Sequence, residues 1–124
     1  MTKDEILKLV DETKTPQIRA GETHSFNDIW MVVVDGRIFC RQYSFSERSW
    51  YSSFLSDSKG AIKCDDKIIE VNGIIPKDLD EINEEVNKAY IEKYDNRLNH
   101  YPQIAHQMTG EKYMAKTMEL IPII

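Results

Sequence analysis

Ile6, Leu7 and Val10 recur at helical spacing just behind a Thr2-x-x-Glu5 capping box, so a helix is predicted within residues 1–14. Pro16 ends it, because the residue before a proline avoids the helical region. Residues 17–20 are predicted as a short strand and 21–27 as a polar loop. The period then changes. Residues 28–34 are β-branched and aromatic, Asp35-Gly36 suits a type I′ turn, and 37–43 return, which predicts a hairpin. A second hairpin is predicted from 61–64, the turn Asp65-Asp66, and 67–75. Between the two, 46–55 is predicted as a short helix with Trp50, Tyr51, Phe54 and Leu55 on one side, capped by Ser46 or Ser49. Beyond Pro76, Leu79, Ile82, Val86, Ala89, Tyr90 and Tyr94 make one face of an amphipathic helix over 77–97. Asp80, Glu81, Glu84, Glu85 and Glu92 make its solvated face. Residues 96–110 are predicted irregular apart from one helical turn, and 116–121 as a final strand.

This pattern predicts a mainly β, α+β fold: about six strands in an antiparallel sheet that closes into a barrel to protect its edges, with flanking helices. The 124 residues form one domain by length, without internal repeat or linker. No apolar run reaches the roughly 18 residues of a membrane span. Residues 1–5 carry no signal-like apolar stretch, so a cytoplasmic protein is expected. The net charge of −5 weighs against nucleic acid as a partner. The two cysteines, Cys40 and Cys64, lie in apolar strands and are read as buried thiols of a reducing compartment. His24, His100 and His106 are scattered without metal-ligand spacing, so no metal is expected.

The candidate chemistry lies in residues 37–51. Arg37, Arg41 and Arg48 stand against a single acid, Glu47, which makes a basic island in an acidic chain. Arginine forks match phosphate oxygens, and Ser44 and Ser46 sit in the link to a helix, where free N–H groups also attract anions. Tyr43, Trp50 and Tyr51 could flank a planar ring. The plainer reading pairs Arg41 and Arg48 with surface carboxylates and places Trp50 and Tyr51 in the core. Tyr90 and Tyr94 are core residues by spacing with hydroxyls reaching the surface, Lys93 is a solvated end, and His100-Tyr101 is a loop pair able to line a pocket. The chain has no nucleophile elbow and no glycine-rich phosphate loop.

The segments Ile29-Trp30-x-Val32, Arg41-x-Tyr43, Trp50-Tyr51, Ala89-Tyr90-x-x-Lys93-Tyr94 and Thr117-Met118-Glu119-Leu120-Ile121-Pro122 resemble an uncharacterised bacterial family of unknown function. That family is related to the FMN-binding split barrels of the pyridoxamine-phosphate-oxidase type, and the likeness covers residues 17–123. It implies a split β-barrel, a homodimer, and a flavin such as FMN or a deazaflavin at the dimer interface. It implies that Arg41, Arg48, Ser44 and Ser46 hold the phosphate. Tyr43, Trp50 and Tyr101 would then flank or close over the ring. Ser44 and Phe45 stand where the family often carries Arg and Gly, which removes one positive charge from that site.

Two functions follow. In one, the protein binds FMN or a related flavin and works in small-molecule redox chemistry. The cofactor would carry the electron chemistry, which explains why no acid–base constellation stands out. In the other, it is a non-enzymatic dimeric split-barrel module for another small ligand or a protein partner.

Overall fold

The structure, a computed structural model, describes residues 1–22, 25–43 and 49–124. In chain order these form α1 (Lys3–Glu12), β1 (Gln17–Ala20), β2 (Asn27–Asp28), β3 (Met31–Val34), β4 (Arg37–Arg41), α2 (Trp50–Ser56), β5 (Lys59–Cys64) and β6 (Lys67–Ile74). Then follow α3 (Leu79–Tyr90), a π-helical segment (Ile91–Arg97), α4 (Pro102–Gln107), α5 (Glu111–Met114) and β7 (Thr117–Pro122). All strand pairs are antiparallel, in the order β2-β1-β5-β6-β7-β4-β3. The expected α+β fold is present as a curled half-barrel. Among the described residues it has seven strands rather than six, because the strand predicted over 28–34 divides: Asp28, with Asn27 from the predicted loop, pairs with β1, and β3 starts only at Met31. Among the described residues it also stays open, since β2 and β3 end the sheet without pairing to each other.

The local signals account for most elements. Thr2 and Glu5 exchange both hydrogen bonds of the capping box at α1. Asp35 and Gly36 both take positive φ, as a type I′ turn requires. Ser49 caps α2 by accepting the Ser52 N–H; Ser46 lies outside the described residues. Leu55, assigned to the apolar side of α2, points to solvent, while Tyr51 and Phe54 are buried. The acidic residues of α3 are exposed as predicted.

Alternation along the strands divides the interior in two. Ile38 and Cys40 face the inside of the curl, with Ile18, Ile62, Val71, Met118 and Leu120, where α1 and α2 close over them. Val32, Val34 and Phe39 face the other way, against Ile82, Val86 and Tyr90 of α3 and against Tyr94, Ala105 and Met108. Arg37 and Arg41 flank Phe39 on this second face. Arg37 forks onto Asp78 at 2.8 and 2.9 Å and onto Glu119 at 2.9 and 3.1 Å, fixing the start of α3 to β4 and β7. These contacts hold its guanidinium further into the charged range and pull the Asp78 carboxyl down.

The widened helix after α3 corrects three expectations. Over Ile91–Arg97 the bonding shifts to i→i+5, as in Leu98 N–H to Lys93 O. Lys93, expected at a solvated end, is buried, and its ammonium donates to Val10 O at 2.9 Å and Met31 O at 2.7 Å. It thereby caps the last turn of α1 and ties it to β3. The hydroxyls of Tyr90 and Tyr94, expected at the surface, are buried too. Tyr90 accepts the Arg41 N–H and donates to Trp30 O, and Tyr94 accepts the Met31 N–H. Side chains of the helix thus satisfy backbone groups where the β3–β4 ladder ends, at Trp30, Met31 and Arg41.

Burial lowers the Lys93 ammonium to about 8, with Arg97 adding repulsion and Asp11 and Cys64 opposing the shift. A lysine depressed in the fold but normal when unfolded leaves the unfolded chain with more bound protons between pH 8 and its ordinary value. Stability contributed at this site therefore rises with pH across that window. Urea unfolding of the native protein should gain stability from pH 8 to 9.5 relative to Lys93→Met; parallel profiles would contradict the assignment.

Candidate functional site

A cavity of about 430 Å³ opens where the start of β3, the end of β4 and α4 meet. Ile29 and Trp30 form one wall, Arg41 and Tyr43 a second, and His100, Tyr101, Ile104 and Met108 a third; Thr15 and Asp28 complete the lining. The surfaces are largely aromatic and apolar, with few polar groups.

Trp30 is braced from behind. Its indole stacks on Tyr94 with centroids 4.0 Å apart and planes 8° apart. The His100 ring tilts against Trp30 at 5.7 Å and meets Tyr101 edge-on at 4.7 Å. The backbone carrying these rings is strained. Asn99 (φ 46°) and Tyr101 (φ 52°) are both left-handed, which costs on the order of 1–3 kcal/mol each and is unusual for a bulky tyrosine. The kink turns the chain from the π-helical segment into α4. It is held by the His100 N–H on Tyr94 O (2.8 Å) and by Tyr101 O, which accepts from Ile104 at 3.0 Å and Ala105 at 3.2 Å. Partial burial, with Lys14 adding repulsion, shifts the His100 imidazole below its ordinary value, towards the neutral ring.

Arg41 is fully buried, and its five N–H groups are all spent on the protein. Nε donates to Thr117 Oγ1 at 2.8 Å. One terminal nitrogen donates to Asn87 Oδ1 and to Met108 O, the other to Asn83 Oδ1 at 2.9 Å and Asn83 O at 3.2 Å. Asn83 also donates to Met114 O at 3.2 Å, joining the end of α5 to the network. The arginine therefore locks the α4 wall of the cavity to α3, β4 and β7. None of the five acceptors is a carboxylate. Burial lowers the guanidinium to about 10, opposed by Tyr90, so it remains charged at neutral pH.

Arg41, Tyr43 and Tyr101 are thus brought to the cavity. Arg41 has no donor left for a phosphate, which corrects its expected role as a direct grip, and its pairing with a surface carboxylate is not found either. Trp50 is not in the lining. It packs edge-on against Tyr51 (6.1 Å) and Phe54 (6.3 Å) beneath the opposite face of the sheet. Ser44, Ser46, Arg48 and His24 lie outside the described residues. Tyr43, half exposed and facing Tyr113 at 6.2 Å, leads directly into the first three. Trp30, Ile104 and Met108 were missed as lining. Ile104 and Met108 are an i, i+4 apolar pair behind Pro102 at the first position of α4, the usable signal for a helix there.

Cys40 and Cys64 are buried free thiols, and burial raises both out of the reactive range. His106 meets Asp95 at 2.6 Å on the surface. Among the described residues no group of three His, Cys, Asp or Glu side chains could hold a metal ion, and no helix is long and apolar enough to cross a membrane.

Residues 6–120 match a family model described as "Uncharacterized protein conserved in bacteria (DUF2255)". The chain belongs to this family. No curated protein matches the sequence. Among the solved structures that share the fold of this DUF2255 member are the following two. One is the conserved hypothetical protein Rv2991 from Mycobacterium tuberculosis: TM-score 0.59 and 17% identity, over 100% of this chain and 80% of that one. The other is described as a "Putative Pyridoxamine 5'-phosphate oxidase" from Listeria innocua: TM-score 0.61 and 8% identity, over 98% of this chain and 94% of that one. At such identities the likeness is one of fold alone.

Proposed function

We propose that this protein binds a planar heteroaromatic ligand of the flavin class, FMN first among them, in the cavity beside Trp30. The observation that carries the reading is the braced indole: one face stacked on Tyr94, within a ring-lined cavity whose far wall Arg41 holds in place. A volume of about 430 Å³ is in the range of small-ligand sites. The described residues suit the ring; for the phosphate, Ser44, Ser46 and Arg48, next along the chain from Tyr43, would supply the donors. Trp30 and Tyr43 would orient the ring, and Ile104 and Met108 would exclude water from it. A bound flavin would supply electron-transfer chemistry for a small-molecule substrate. A second copy of the chain covering the half-exposed Tyr43 and Tyr101 would complete the enclosure as a homodimer. One observation favours the alternative, a non-enzymatic module for another small ligand: the buried arginine carries no free N–H.

Titration of the purified protein with FMN, followed by flavin fluorescence, distinguishes the two. The flavin reading expects binding at about 50 μM or tighter, on the order of −6 kcal/mol, and at least tenfold weakening in Trp30→Leu, about 1.4 kcal/mol. No binding at ten times that concentration would leave the alternative.

A further inference from the structure

Resting on the reading of this cavity as a ring-binding site, we propose that it prefers a ring that carries negative charge, as an aromatic carboxylate or the anion of a reduced flavin does, over a neutral ring of the same shape. Charge recognition there works through the field of Arg41 rather than through a hydrogen bond to it.

The argument starts from how the arginines are compensated. Arg37 meets two carboxylates and Arg97 forks onto Asp11 at 2.9 Å. Arg41, the fully buried one, has only amide, carbonyl and hydroxyl acceptors. Neutral dipoles hold a guanidinium in place but leave its full unit of charge. In a low-dielectric interior that charge acts at a longer range than at the surface. It forms one wall of the cavity, and the neighbouring surfaces are aromatic and apolar, so little screens it there. Lys14 is near enough to His100 to add to the same positive side. The opposing charge is Asp28, which is exposed and already accepts from Gln17 at 3.0 Å. Its field is the one that solvent weakens. The balance inside the cavity is positive, in a chain whose total is −5.

The test compares two probes of equal shape, 2-naphthoate and 2-naphthamide, by quenching of Trp30 in Trp50→Phe protein, with FMN titrated into the same preparation. The inference expects naphthoate to bind about tenfold more tightly, with most of the preference kept in 0.5 M salt, because a buried charge is poorly screened. Equal affinities, or binding of neither probe, would overturn it. A preference abolished by salt would move its source to Lys14 and overturn the assignment to Arg41. FMN binding without discrimination between the probes sinks this inference alone. Discrimination without FMN binding sinks the flavin reading alone.

Discussion

Replacing Arg41 with methionine is expected to cost about 3 kcal/mol of folding stability, because five acceptors, four of them in buried contacts, lose the guanidinium at once. For a domain of this length that is a fall in Tm of roughly 10 °C. The effect separates two roles that look alike in a sequence. An arginine that grips a phosphate faces solvent in the free protein, and its removal changes stability by no more than about 0.5 kcal/mol. An arginine that staples β4 to α3, β7 and the last residue before the α4–α5 turn cannot be removed so cheaply. Arg41→Lys should recover only part of the loss, since a lysine reaches fewer of the acceptors and lacks the fork. Thermal unfolding of the two variants checks this, and an unchanged Tm in Arg41→Met would contradict the structural role.

The second large effect lies on the opposite face of the sheet. Phe54 of α2 rests directly on the backbone of β5 and β6, at two positions without side chains. A β-carbon at Gly60 would fall 2.5 Å from Phe54 Cζ and also against the Arg19 carbonyl oxygen; one at Gly73 would fall 2.6 Å from Phe54 Cδ1. The phenyl ring can shift away from position 73, but the β1 backbone beside position 60 cannot. Gly60→Ala is therefore expected to lose about 3 kcal/mol, the upper end of overpacking costs, and Gly73→Ala less. Pairing Gly60→Ala with Phe54→Leu should restore only the part of the loss that belongs to the ring, a coupling readable from a double-mutant cycle. Equal stability of Gly60→Ala and the native protein would contradict this packing.

What could be read from the chain followed how local each cause is. The capping box at Thr2 and Glu5, the Asp35-Gly36 turn and the apolar face of α3 are set by residues within a few positions of one another. They appear where the pattern puts them. Lys93 and Arg41 were misread for the opposite reason. Their partners are 83 and 62 positions away for Lys93, and between 42 and 76 positions away for Arg41. A buried, satisfied cation has the same letter as a solvated one. Strand β2 was not separated from β3, because two polar residues, Asn27 in the predicted loop and Asp28 in the predicted strand, give no alternation to mark a strand of their own. The cavity was half legible. The basic island led to Arg41 and Tyr43 and the His100-Tyr101 pair to Tyr101, but Trp50 was the wrong indole, since helical spacing says which residues share a side and not which face of the sheet that side meets.

The two tryptophans on opposite faces of the sheet make the central claim directly measurable. In protein labelled with ¹⁵N at the indole nitrogens, each ring gives one resonance, assigned by Trp30→Phe and Trp50→Phe. On addition of FMN, a ligand in the cavity moves the signal of the Trp30 indole, which lines it, and leaves the Trp50 signal in place. Movement of Trp50 with Trp30 unchanged, or of neither, would contradict the site.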